Sequence, residues 1–223
     1  MAEVLRVVAE PSEVNRRLAA LSLSVKILRT AAQKSFAAWA ACTPNDPKIL
    51  PGFVSWGAAI RSLGDDLTPD GWTRIEDGGQ PLIVNADQTI ALTVASGDEN
   101  TGRTDKSQPR TKSSKGPRTV EKVLSNTYLF PEMQADFEAR LMAAKRRSTS
   151  TWMLLIHRDP IVGEVRCELS LPIALDSEGH IDEWSERIIL EPVDFERTSD
   201  ALPDADQGES NDGEIKIEIK RRG

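Results

Sequence analysis

The sequence predicts an α+β fold, with N-terminal helices packed on a mostly antiparallel sheet. Three observations lead to this class. Apolar residues recur at helical spacing near the N-terminus of the 223-residue chain. Short β-branched or alternating segments dominate the later part. The two patterns follow one another along the chain and do not alternate as in a βαβ protein, so the helices are expected to be segregated onto one sheet.

Two helices are predicted in the N-terminal third. Between Val14 and Trp39 the apolar residues lie three or four positions apart, which is the spacing of one helical face. A helix of that length would exceed the width of a small domain. We therefore expect it to break near Ser22 and Ser24, or to pack on something besides its own core. A second helix is predicted over 52–66.

A sheet is predicted from residue 72 onward. Its first strands are short, β-branched and separated by tight turns, as in an antiparallel meander: 72–75, 81–84 and 89–95. Three longer strands follow, of which the first is nearly all apolar and is expected to be central: 150–158, 164–175 and 186–193. Two helical segments are predicted between these groups: 119–124 and 132–144.

The strand over 164–175 has the clearest alternation of the chain. Val165 and Cys167 begin an apolar face, while Arg166, Glu168 and Ser170 fall on the other face. Such alternation is typical of a strand with one face on the core and one face in water. We therefore expect the polar face to be exposed to solvent.

Composition bounds the organisation of the chain. With 39% apolar residues, it can form one α+β domain over 1–196. Residues 197–213 are polar and acidic, which predicts a mobile, disordered linker, and 214–223 alternate as a final strand. No apolar run approaches the ~20 residues of a membrane span. The N-terminus lacks a signal-peptide pattern, and the two cysteines are expected to be buried free thiols, so we predict a cytoplasmic protein without membrane association.

Charge is strongly segregated, although the net charge is −7. Residues 103–122 carry seven Lys or Arg and two acids, whereas 176–214 are rich in acids. The first segment predicts a long basic loop that is mobile over 100–116 and contacts an anionic partner through 103–118. The candidate anion-binding residues are basic residues of this loop and of a second cluster: Arg103, Lys106, Arg110, Lys112, Lys115, Arg118, Lys145, Arg146 and Arg147.

Signals for catalysis are weak. The triplet at 157–159 has the kinase letters His-Arg-Asp, but the glycine-rich loop of a kinase is absent. No His/Cys spacing indicates a metal, and no cofactor is expected. Asp204 followed by Glu214 and Lys216 matches the carboxylate pattern of restriction-type nucleases, although the surrounding sequence is not that of a core strand. Trp184, in an acidic and turn-like stretch, is the candidate anchor for a partner.

The sequence thus favours a non-enzymatic accessory or interaction protein that binds nucleic acid or an acidic protein surface through its basic loop. The alternative is a metal-dependent hydrolase or nuclease with an unidentified carboxylate site. A further hypothesis is a homodimer formed through the N-terminal helix, since its apolar stripe has nearly heptad spacing.

Overall fold

The computed structural model describes residues 5–105, 107–127 and 149–195. These residues form four helices: α1 (Pro11–Ala20), α2 (Val25–Ala40), α3 (Leu50–Leu67) and α4 (Pro117–Thr127). They also form eight strands: β1 (Arg6–Val8), β2 (Thr73–Asp77), β3 (Gln80–Val84), β4 (Ile90–Ser96), β5 (Ser150–Asp159), β6 (Glu164–Leu175), β7 (Ile181–Ile189) and β8 (Val193–Asp194). The α+β class is confirmed. The segments predicted at 132–144, 197–213 and 214–223 lie outside the described residues.

All eight strands belong to one mixed sheet. Its order is β1-β7-β6-β5-β4-β3-β2, and β8 pairs with the start of β6. The β4–β5 and β1–β7 pairs are parallel and the other pairs are antiparallel. The predicted meander is confirmed as β2–β3–β4, and the apolar strand β5 is central as predicted. The parallel β4–β5 pair requires a long crossover, and this connection contains the basic loop and α4.

The long N-terminal helical pattern is broken where the two serines predict a break. Ser22 takes a left-handed backbone conformation with φ 57°, and the Ser24 side chain accepts a hydrogen bond from the Ile27 amide at 3.4 Å. Ser24 thus caps the new helix α2. The apolar stripe of both helices is buried in the chain's own core, with Leu18 and Leu28 fully inaccessible. These side chains are therefore not on the surface for pairing with a second copy.

The central strands of the sheet are buried on both faces. Helices α1, α2 and α3 cover one face, whose core includes Ile83, Leu154 and Leu169. On the opposite face α4 packs against β5 and β6, and Val123 joins a smaller cluster there. The Asn126 side chain fixes α4 by donating to the Thr151 and Pro172 carbonyls, both at 2.9 Å.

The exposed polar face predicted for β6 is wrong. Arg166, Glu168 and Ser170 are 2%, 0% and 0% exposed. Alternation predicted their common face correctly, but residues that are distant in sequence cover that face.

Among the described helices, none is long and apolar enough to span a bilayer. Cys167 is a buried free thiol as predicted, whereas Cys42 is only half-buried.

Candidate functional site

The basic loop is anchored on the polar face of the sheet. Immediately after β4, Gly97 pairs with Thr111 as an isolated antiparallel bridge. The Asp98 amide donates to the Arg110 carbonyl at 3.0 Å, and the Lys112 amide donates to the Ser96 carbonyl at 3.0 Å. The loop thus closes on itself at its base. Defined hydrogen bonds occur on both sides of the loop, within 97–103 and within 108–115.

A buried ion pair holds the first half of the loop. Glu168 on β6 accepts hydrogen bonds from both Nε and a terminal nitrogen of Arg187 on β7, at 2.9 and 2.6 Å. The Ser170 hydroxyl donates to the same carboxylate at 2.6 Å, and the Gly102 amide of the loop donates to it at 2.8 Å. Arg187 also donates to the Arg103 carbonyl at 3.1 Å. The pair therefore grips the loop backbone at two consecutive residues.

Arg166 forms a second clamp on the same loop. Its Nε donates to the Thr101 carbonyl at 3.0 Å, and a terminal nitrogen donates to the Glu99 carbonyl at 3.1 Å. The remaining terminal nitrogen bonds Glu164 at 2.6 Å and Asp159 at 3.4 Å. Burial would raise the pKa of Asp159, but the Val162 amide and the Arg166 guanidinium together lower it. Hydrogen bonds of this kind to charged groups are about twice as strong as neutral ones.

His157 lies beneath the start of the loop. Its Nδ1 donates to the Gly97 carbonyl at 3.2 Å, and the residue is 9% exposed. Burial lowers the pKa of His157 because it penalises the charged imidazolium, and the neighbouring charges of Arg166 and Lys112 act in the same direction. His157 is therefore a neutral hydrogen-bond donor that positions the loop, near neutral pH.

The second half of the loop is fixed to the β6–β7 turn. The Thr111 and Lys115 amides donate to the Ile181 and Gly179 carbonyls at 3.0 and 2.8 Å. Arg110 reaches two acids of this turn, with Nε at 2.7 Å from Asp176 and a terminal nitrogen at 2.5 Å from Glu178.

These hydrogen bonds favour the charged forms of both Arg110 and Asp176. Hydrogen bonds to Glu178 and Asp176 raise the pKa of Arg110. Desolvation would raise the pKa of Asp176, but the His180 amide and Arg110 lower it. Arg110, one of the candidate anion-binding residues, is thus already bound to two acids of the chain's own acidic region.

The other predicted binding residues differ from one another in how far they are buried. Arg103 is half-buried, and its buried Nε has no hydrogen-bond partner within the described part of the chain. Lys112 and Lys115 are half-buried, and the Arg118 side chain is 60% exposed beside Glu121 on the first turn of α4. Four other candidates lie outside the described residues: Lys106, Lys145, Arg146 and Arg147.

Trp184 lies in a strand and not in the turn-like stretch that its neighbours predict. It belongs to β7 and is 2% exposed. Its indole Nε1 donates to the Pro109 carbonyl at 2.8 Å, and its backbone amide donates to the Gln108 side chain at 3.3 Å. The loop therefore covers Trp184, and a partner would have to displace the loop to reach it.

The sequence contains a signal for this arrangement, although alternation alone predicts an exposed face. Arg166, Glu168 and Ser170 recur at every second position of β6, and Arg187 follows on the next strand. Several charged residues on one face of a central strand require partners when that face is covered. A long polar connection from β4 supplies those partners as backbone amides and carbonyls.

Among the described residues, no group of three or more His, Cys, Asp or Glu side chains is arranged to hold a metal ion. The nuclease-like residues Asp204, Glu214 and Lys216 lie outside the described part of the chain. Comparison of the chain with known protein families, with curated proteins and with solved structures finds no match.

Proposed function

We propose that this chain is a non-enzymatic interaction protein that binds an acidic surface of another protein through the loop over 103–118. The observation that carries this proposal is the clamped loop. Three buried side chains, Glu168, Arg166 and Arg187, fix the backbone that leads into the loop, from Glu99 to Arg103. The Thr111 and Lys115 amides fix the later part of the loop to β7 and to the β6–β7 turn. A basic segment on a fixed backbone loses little conformational entropy on binding, which favours affinity for a partner of complementary charge.

The chain's own contacts favour carboxylates as the groups that this loop recognises. Arg110 bonds Asp176 and Glu178 in a two-acid arrangement that an acidic segment of a partner can reproduce. Lys112 and Lys115 follow on the same loop, and Arg118, on the first turn of α4, is the most exposed of these three. The overall charge of −7 opposes non-specific association with any polyanion, so the preference for carboxylates rests on these local contacts and not on net charge. Binding of nucleic acid is therefore the competing outcome of the test.

The test measures binding of two anionic probes by fluorescence anisotropy. One probe is a labelled polyglutamate peptide, and the other is a labelled DNA duplex. We expect the wild-type protein to bind the peptide at low salt and to release it as salt increases, because exposed charge pairs are screened. A variant with Lys112→Glu, Lys115→Glu and Arg118→Glu should bind at least about tenfold more weakly, a change of about 1.4 kcal/mol.

A matched control distinguishes the effect of the loop residues from the effect of a change in net charge. The variant Lys26→Glu, Lys34→Glu and Arg61→Glu makes the same change of charge at exposed positions of α2 and α3. It should bind the peptide nearly as well as the wild type. Equal weakening in both variants, or no binding of either probe at low salt, would contradict the proposal. Preferential binding of the duplex would assign the loop to nucleic acid instead.

A further inference from the structure

The last strand of the sheet, β2, offers an open edge. Within the described residues β2 pairs only with β3, and its other side has no neighbouring strand. The side chains of Arg74 and Glu76 are each 51% exposed, and Ile75 is 42% exposed. An unpaired edge of this kind is a template for another strand. The turn end of this edge is near α4, where Asp77 forms an ion pair with Lys122 and the Arg118 side chain lies against Gly78. The pairing argued below uses the backbone of Arg74 and Glu76, so it does not depend on the proposed function.

The hairpin geometry determines which backbone groups point outward. Asp77 and Gln80 flank a two-residue turn of two glycines with φ 59° and 83°, so they form a hydrogen-bonded pair. Such pairs alternate along an antiparallel ladder. The N–H and C=O groups of Ile75 therefore face β3, and those of Arg74 and Glu76 face outward. Pro81 lies opposite Glu76 and agrees with this alternation, because proline has no N–H to donate to β2.

We propose that β2 pairs with β2 of a second copy of this chain, antiparallel and centred on Ile75. In this register Arg74 of each copy lies opposite Glu76 of the other, and Ile75 lies opposite its own symmetry mate. The outward backbone groups of Arg74 and Glu76 form the ladder, and their side chains form two ion pairs across it. Thr73 lies opposite Asp77, so a hydroxyl faces a carboxylate. A twofold interface must be self-complementary in this way.

The charge order of the strand is what selects a second copy over an unrelated peptide. Thr-Arg-Ile-Glu-Asp places a positive and a negative residue symmetrically about Ile75. Arg74 and Glu76 form an ion pair with one another along the strand. In the dimer, Arg74 would replace this contact by an ion pair with Glu76 of the second copy, and Glu76 by one with Arg74 of the second copy. A single strand pair buries much less than the ~1,200–2,000 Å² of a stable complex. The dimer is therefore weak and salt-sensitive.

Charge-reversal variants test the register directly. Arg74→Glu alone and Glu76→Arg alone each place like charges opposite one another across the twofold axis, so each variant should dimerise at least about tenfold more weakly than the wild type. An equimolar mixture of the two variants restores both ion pairs and should form a heterodimer. The double variant Arg74→Glu with Glu76→Arg should dimerise like the wild type. Arg61→Glu, an exposed charge reversal on α3, is the control and should have no effect.

The measurement is sedimentation equilibrium from about 1 µM to about 1 mM, the range in which a weak association is visible. Hydrogen–deuterium exchange supplies a second readout. The Arg74 and Glu76 amides should exchange more slowly at high protein concentration, while the Ile75 amide, which bonds β3, should not change. A wild-type chain that stays monomeric throughout this range would overturn the proposal. So would a dimer that either single reversal leaves intact, or a mixture that does not form the heterodimer.

Discussion

Replacing Glu168 by Gln should destabilise the protein strongly. The substitution keeps the shape of the side chain and removes its charge. Arg187 then remains as a cation that is 3% exposed, opposite a neutral amide. The amide nitrogen of Gln cannot accept a hydrogen bond. One of the two carboxylate oxygens that bind Gly102, Ser170 and Arg187 is therefore lost as an acceptor.

The expected cost is about 3–5 kcal/mol of unfolding free energy, the range for breaking a buried ion pair by removing one partner. That is a large share of the ~5–15 kcal/mol that stabilises an ordinary domain. The matched control is Glu178→Gln, which also removes one acid from a contact with an arginine. Glu178 is 70% exposed, so its loss should cost less than about 1 kcal/mol.

Urea unfolding followed by tryptophan fluorescence measures both variants against the wild type. A paired replacement, Glu168→Leu with Arg187→Met, should recover part of the loss because no buried charge remains. It should nevertheless speed hydrogen exchange at Gly102, whose amide then has no carboxylate acceptor. A cost below about 1 kcal/mol for Glu168→Gln, or one equal to that of Glu178→Gln, would refute the assignment of this pair as the anchor of the loop.

Two further predictions concern the same loop. Gly102→Ala should cost about 1–3 kcal/mol in urea unfolding, because Gly102 has φ 72° and a Cβ there would lie 2.8 Å from the Arg166 Cβ. Gly52→Ala in helix α3, with no atom near its Cβ, should instead be neutral or stabilise the protein by up to about 1 kcal/mol, because Ala favours a helix more than Gly does. His157 has a lowered pKa in the folded protein, so the unfolded chain binds more protons and stability should fall as pH decreases below about 6.5. His157→Gln should remove this part of the pH dependence, and identical pH profiles for both proteins would contradict it.

Much of the fold could be predicted from periodicity, because periodicity reports which face of an element is buried. The stripe on α1 and α2, the meander from β2 to β4 and the central β5 all follow from local spacing. The break at Ser22 was predictable from helix length and the two serines. The 3-residue strand β1 was not, because it pairs in parallel with β7 at the far end of the chain and has no periodic signal of its own.

The candidate site could be predicted only in part, because its order depends on contacts between distant segments. The basic composition of 103–122 is plain in the sequence. Its polarity predicts mobility, since no apolar pattern indicates a packing partner. The partners are instead buried charges such as Glu168 and Arg166, which lie more than 60 positions away and bind backbone atoms. Almost every residue has the same backbone hydrogen-bonding groups, so the loop sequence does not indicate which of its residues bind these buried charges.

The position of Trp184 connects the anchored loop to the stability of the sheet. Its indole is buried beneath the loop and donates to the Pro109 carbonyl, seven positions after the clamp at Gly102 and immediately before Arg110, which contacts Asp176. Removing the loop would expose this ring and leave the charges of Arg166 and Glu168 without their backbone partners. The loop is therefore part of the folded core, and a partner that binds its basic residues must do so without lifting it. The loop is therefore expected to bind its partner as a rigid, preformed surface and not by changing its conformation.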